Sequence, residues 1–121
     1  MMIKNFLNSF RYALRGVRYV FKHEQNFRIQ VVVSCLVVLL MFVLPLSTRE
    51  IILVIILLTM VLTMEILNTA LERFADLLKP RLHEYVSVIK DIMAAAVLVT
   101  SLGALIIGAM IFVPHFVSLL E

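Results

Sequence analysis

The chain has 121 residues, 63% of them hydrophobic and 16% charged, with a formal charge of +3. Soluble domains carry about 45–50% apolar and about 25% charged residues, so a unit this small cannot hide its apolar surface from water, and the bilayer is its solvent. A single cysteine, Cys35, excludes an intrachain disulfide, and its place in an apolar run marks it as a packing residue.

Residues 1–24 predict an amphipathic helix. At about 100° per residue, Phe6, Phe10, Leu14, Val17 and Phe21 share one face, and Lys4, Arg11, Arg15, Arg18 and Lys22 an adjoining one. Such a helix lies in the membrane interface, rings toward acyl chains and cations toward anionic head groups. A secretory signal does not fit, because no apolar stretch of about 7–15 residues with a small-residue cleavage site follows the basic residues there. A mitochondrial transit segment is a minor alternative on composition.

Residues 29–48 carry no charge and match the roughly 20 residues of one crossing. Pro45, Ser47 and Thr48 predict a turn, and Arg49-Glu50 the far side. A second span, 51–72, starts apolar from Ile51 to Met64 and runs into a pattern that carries charges. Arg73 to Lys90 reads as a polar connection broken by Lys79-Pro80. The uncharged stretch from Ile92 to Leu120 supplies a third span, 92–113, ending near Pro114-His115. The expected architecture is an all-α membrane protein of one domain, with three transmembrane helices and an N-terminal surface helix. Ten of the eleven basic residues lie in the N-terminal segment or between Arg73 and Lys90, which puts both regions on the cytoplasmic side.

The chemistry concentrates in the segment Met64 to Asp76. On a continuing helix Glu65, Asn68, Thr69, Glu72 and Asp76 fall within an arc of about 100°. A charged side chain at membrane depth costs about 2.5–3.5 kcal/mol on insertion scales, so intramembrane carboxylates are functional candidates. The competing reading is a helix end solvated by head groups; it weighs evenly for Asp76 and much less for Glu65, which follows fourteen uncharged residues. Two carboxylates and an amide on one face suit a hard cation such as Mg²⁺, which takes one or two carboxylates plus substrate phosphates. A further carboxylate in a drier site can accept a proton. With Gly16, Gly103 and Gly108 the only glycines, no phosphate-cradling loop exists, and the histidines and cysteine lack zinc spacing. Glu24 to Arg28, at the entry to the first span, and Lys90-Asp91, at the entry to the third, supply partners at the same depth. Ala94-Ala95-Ala96 lets helix backbones approach closely.

The segments Glu24-x-Asn-Phe-Arg28, Glu65-Ile-Leu-Asn-Thr-Ala-Leu-Glu72, Asp76, His83 and Lys90-Asp91-x-x-Ala-Ala-Ala-Val resemble the prokaryotic integral-membrane diacylglycerol kinase and undecaprenol kinase family. The resemblance covers nearly the whole chain, including Ser9-Phe10-x-Tyr12-Ala13 and Gly16. It implies a homotrimer in the bacterial cell membrane, with composite sites between subunits that move the γ-phosphoryl of ATP to a lipid hydroxyl. By that resemblance Glu65 is the general base at the lipid hydroxyl, with Arg28 beside the substrate. Glu24 and Glu72 are Mg²⁺ ligands at the ATP site, and Asn68, Lys90 and Asp91 position the nucleotide and its phosphates, with Tyr12 and His83 near the nucleotide. Met93-Ala94 stands where some diacylglycerol-preferring members have Gly-Ser. Asn68-Thr69 and the alanine triplet are closer to the undecaprenol kinase branch. Asn5, with Lys4 beside it, falls where the family often has a phosphate-binding arginine. A non-enzymatic oligomer (channel, holin or transporter subunit) is the alternative. A pore would place polar residues through the depth of several helices, whereas here they cluster at one membrane face.

Overall fold

A computed structural model describes residues 1–121, all in four helices and their short joints: α1 (Met2–His23), α2 (Gln25–Val43), α3 (Thr48–Leu77) and α4 (His83–Leu120). The last three are long and apolar enough to cross a membrane. A spanning helix satisfies its own backbone, which is what a solvent without hydrogen-bonding partners demands. Hydroxyls within the spans do likewise: Thr59, Thr69 and Thr100 donate to the carbonyls of Ile55, Glu65 and Ala96 at 2.8, 3.0 and 2.9 Å.

Each joint has a local cause. Glu24 takes an extended conformation (φ −116°, ψ 111°) and separates α1 from α2. The carbonyls of Phe21 and Lys22, left over at the end of α1, accept from the Arg28 guanidinium at 2.9 Å each. Leu44 is extended, as the residue before a proline is pushed to be, and so ends α2. Ser47 then opens α3 with a capping box. Its hydroxyl accepts from the Glu50 amide at 3.2 Å, and the Glu50 carboxylate accepts from the Ser47 amide at 2.9 Å. The same carboxylate meets His115 Nε2 at 3.1 Å and so ties the start of α3 to the last turns of α4. The turn from Leu78 to Leu82 holds a cis Lys79-Pro80 bond and returns the chain into α4.

α3 is the central helix: α4 packs along it most extensively, with α2 against another side and α1 touching its polar end. Val54, Val61, Glu65 and Thr69 form its buried seam, at helical spacing. Only 11 of the 121 residues are buried, and side chains such as Leu39, Val99 and Leu105 stand well over half exposed. In a single copy that apolar surface is covered by lipid or by other subunits.

Two helices run further than the hydropathy suggests. α3 continues past Arg73 to Leu77 and α4 starts at His83, so most of the supposed polar connection is helix. Nor does Pro114 end α4, which carries on to Leu120. A proline only deletes one amide donor and strains one turn, and spanning helices absorb that locally.

Candidate active site

At the end of the bundle opposite Pro45, the three spanning helices enclose a cavity of about 470 Å³. Each contributes one face at i, i+3, i+4 or i+7 spacing: Asn26, Ile29 and Gln30 from α2, Glu65, Asn68 and Glu72 from α3, and Ala94, Val97, Leu98 and Ser101 from α4. The small Ala94 and Ser101 keep the α4 wall low.

Glu65 is the deepest acid, 5% exposed. The carboxylates of Glu24 and Glu72 are within electrostatic reach of it, and it takes part in none of the chain's ion pairs. A buried carboxylate among acids and without a cation is costly unless something else uses it. The Asn68 amide donates to Glu72 Oε1 at 3.3 Å and fixes that carboxylate one turn closer to the helix end. The buried Thr69 is spent on its own helix through the Glu65 carbonyl.

Beyond Glu72, the polar end of α3 carries paired charges. The Arg73 guanidinium donates through Nε to the Tyr19 hydroxyl at 2.9 Å and through a terminal nitrogen to Glu24 Oε1 at 3.3 Å. Tyr19 stacks on His23, with ring centroids 4.0 Å apart. Arg73 therefore pins the α1–α2 joint, and with it Glu24, against α3. Lys90 on α4 reaches back to Asp76 at 2.8 Å, with Lys79 at 4.0 Å from the same carboxylate, and Glu72 lies within its electrostatic reach.

Of the residues singled out from sequence, Glu65, Asn68 and Glu72 share the cavity, while Glu24 and Lys90 do not line it and pair instead with Arg73 and Asp76. Arg28 caps α1 with its guanidinium. Tyr12, His83 and Asp91 are exposed at the same end and do not line the cavity in a single copy; Arg15 covers the Tyr12 ring at 5.7 Å. Arg73, Asn26, Gln30 and Ser101 were missed. Asn26 was within reach, lying inside the Glu24–Arg28 segment. Arg73 was not, because Tyr19 lies 54 residues away and only the folded chain brings them together.

No trio of His, Cys, Asp or Glu side chains gathers closely enough to cage an ion within one chain. The donor chemistry nonetheless fits Mg²⁺. Glu72 and Glu24 offer hard carboxylate oxygens, one oxygen of Glu24 lies outside its contact with Arg73, and the ion commonly completes its shell with phosphate and water.

Three spanning helices closing on an acid-lined cavity at one end define a polytopic membrane protein. The sequence pattern of prokaryotic diacylglycerol kinase matches residues 11–112. A diacylglycerol kinase of Synechocystis is 36% identical over 117 residues, covering 96% of this chain and 67% of the relative. An undecaprenol kinase of Bacillus subtilis is 33% identical over 112 residues, covering 93% and 91%. A diacylglycerol kinase of Haemophilus influenzae is 33% identical over 97 residues, covering 80% and 82%. The chain belongs to the prokaryotic diacylglycerol kinase family. It is therefore a membrane lipid kinase, an enzyme that phosphorylates an alcohol, and the channel, holin and transporter readings fall away.

Proposed function

We propose that the chain uses ATP and Mg²⁺ to phosphorylate the hydroxyl of a membrane lipid alcohol, undecaprenol or diacylglycerol, to its monophosphate. The observation that carries this reading is the placement of Glu65: a buried carboxylate, in no ion pair, at the floor of a cavity lined mainly by polar side chains. A lipid hydroxyl reaches that floor from the bilayer and ATP reaches the rim from water.

In this mechanism Glu65 accepts the proton of the lipid hydroxyl as its oxygen attacks the γ-phosphorus. A P–O bond to the lipid forms, the bond to the β,γ-bridging oxygen breaks, and ADP leaves. Phosphoryl transfer of this kind relies on positioning and charge neutralisation more than on covalent chemistry. Glu72 and Glu24 would hold Mg²⁺, which when bound would supply the neutralisation. Asn68 holds Glu72 in place, while Lys90 and Asp91 address the phosphates, Tyr12 and His83 the nucleotide, and Arg28 the lipid side.

The basic residues of α1 and of the 73–90 region favour a cytoplasmic orientation for this face and for the N-terminus in a bacterial cell membrane. α1 lies in the interface, its cations on anionic head groups. Tyr12, His83 and Asp91 stand outside the cavity of one copy, which supports a homotrimer in which neighbouring subunits complete each site. Two features of the sequence favour undecaprenol: the Asn68-Thr69 pair and the Ala94-Ala95-Ala96 triplet. The test is transfer from γ-labelled ATP to undecaprenol and to diacylglycerol in mixed micelles with Mg²⁺. Labelled lipid is expected, more from undecaprenol; labelled diacylglycerol alone would reverse the substrate preference, and no labelled lipid would refute the reading.

A further inference from the structure

α1 and α3 share a single side-chain hydrogen bond, from Arg73 Nε to the Tyr19 hydroxyl at 2.9 Å. The Arg73 guanidinium carbon also lies 5.7 Å from the centroid of the Tyr19 ring. Tyr19 is itself braced on α1. Its ring stacks on His23 at 4.0 Å with 22° between the planes, and His23 Nδ1 donates to the Tyr19 carbonyl at 2.8 Å. Consecutive residues on a helix point about 100° apart, so Glu72 faces the cavity while Arg73, next in sequence, faces the α1–α2 joint. At that joint stands Glu24, the one residue between two helices, with an extended backbone. No helical ladder sets the direction of its side chain, and its one side-chain partner is Arg73 at 3.3 Å.

We propose that Tyr19 is a positioning residue for the divalent ion: its hydroxyl sets the Arg73 guanidinium, and the guanidinium in turn holds the Glu24 carboxylate toward the end of α3 that carries Glu72. The inference rests on the reading of Glu24 and Glu72 as ion ligands given above. A guanidinium is a rigid planar fork, so engaging Nε fixes where its terminal nitrogens point. Arg73 and Glu24 are both partly exposed, and without the Tyr19 hydroxyl neither side chain has packing enough to choose one direction. Mg²⁺ demands near-ideal octahedral geometry, which a wandering carboxylate does not supply. Partners that orient a metal ligand commonly change ion affinity about 10–100-fold. The rival role for Arg73 is that of a competing cation, which the ion would have to displace. Its single contact with Glu24 is long for a charge-assisted bond, about 2.7–2.9 Å being usual, and it leaves the second carboxylate oxygen open. Such a contact orients the ligand without occupying it.

Tyr19→Phe removes the hydroxyl and keeps the ring on His23, at an exposed position where the change opens no cavity. The readout is Mn²⁺ binding, followed by electron paramagnetic resonance on detergent-solubilised protein with a non-hydrolysable ATP analogue, so that no turnover is involved. The Kd for Mn²⁺ should rise about tenfold in Tyr19→Phe, while the thermal midpoint matches wild type. In transfer assays kcat at saturating Mg²⁺ should stay within about twofold. Arg73→Lys keeps the charge but lacks the fork, and should weaken Mn²⁺ binding to a similar degree. Adding Tyr19→Phe to Arg73→Ala should cost nothing further, because Tyr19 acts through Arg73 alone. Tyr85→Phe, at an exposed tyrosine of α4, should change none of these values.

Unchanged Mn²⁺ binding in Tyr19→Phe would overturn the assignment, as would losses that add in the double variant. Tighter binding would overturn it too, and would make Arg73 a competitor of the ion. Glu24→Ala separates this role from the ligand reading beneath it. If Glu24→Ala weakens Mn²⁺ binding and Tyr19→Phe does not, the positioning role alone fails. If Glu24→Ala binds Mn²⁺ as wild type does, Glu24 is no ion ligand and the positioning role falls with that reading.

Discussion

Glu65 and Glu72 sit two turns apart on one face of α3, and their surroundings separate their duties. Glu65 is buried below Glu72, without a cation, whereas Glu72 is half-buried and held by Asn68 at 3.3 Å. A metal ligand and a proton acceptor should respond differently to loss. Glu72→Ala and Glu24→Ala should each lower activity in a way that raised Mg²⁺ partly restores, because a ligand deletion weakens ion affinity more than chemistry. An activity deficit insensitive to Mg²⁺ would remove both from ion binding. Arg73 poses a separate question, since it contacts Tyr19 and Glu24 but stands outside the cavity. Its pair with Glu24 is partly exposed, the Arg73 side chain 43% and that of Glu24 22%, so solvent screens it and it adds little to stability. Arg73→Ala should thus leave the thermal midpoint within a few degrees of wild type. It should raise the Mg²⁺ concentration needed for half-maximal activity, because Glu24 loses the group that fixes it. A large fall in stability with unaltered Mg²⁺ dependence would make Arg73 a purely structural tie.

At the scale of elements, each joint is short and chemically specified, which is why the helix count could be read from residues alone. Pro45, Ser47 and Thr48 announce a turn, and the structure adds the capping box between Ser47 and Glu50. Ser47→Ala should cost about 0.5–2 kcal/mol by leaving the Glu50 amide without its acceptor, measured as a lower unfolding midpoint in detergent. Activity should persist, since the capping box lies at the opposite end of α3 from Glu65; lost catalysis without lost stability would contradict that separation. The ends of the long helices were less legible. Charges after Arg73 suggested a loop, yet a helix leaving the membrane keeps its hydrogen-bonded ladder wherever one face stays packed, and Ala75 and Val86 are buried. Pro114 suggested a terminus for a similar reason, although one missing donor does not unwind a helix that has no water to replace its bonds.

For the whole molecule, the ratio of core to surface decides the next level of structure. With 11 of 121 residues buried, one copy has almost no interior, and Glu65 is the one acid it buries. Glu65, Glu72 and Asp76, the acids in the polar half of α3, were visible in the sequence because helical spacing alone aligns them. What was hidden came from between helices: Arg73 reaching Tyr19, and Gln30 of α2 and Ser101 of α4 lining the cavity that holds Glu65. Tyr12, His83 and Asp91 were chosen by resemblance, and a single copy leaves them outside the cavity. A trimer accounts for that, and cross-linking in native membranes should trap species up to three chains and no further. A dominant monomer with full activity would require each copy to hold a complete site.

The most direct test of Glu65 as the group that accepts the lipid proton is the turnover of Glu65→Gln. The substitution keeps shape and hydrogen-bonding size while removing the base, and positioned bases contribute about 10²–10⁴-fold. We expect kcat to fall by that order while helicity, cross-linked assembly and ATP binding match wild type. Near-normal turnover in a folded, assembled Glu65→Gln enzyme would contradict the mechanism at its centre.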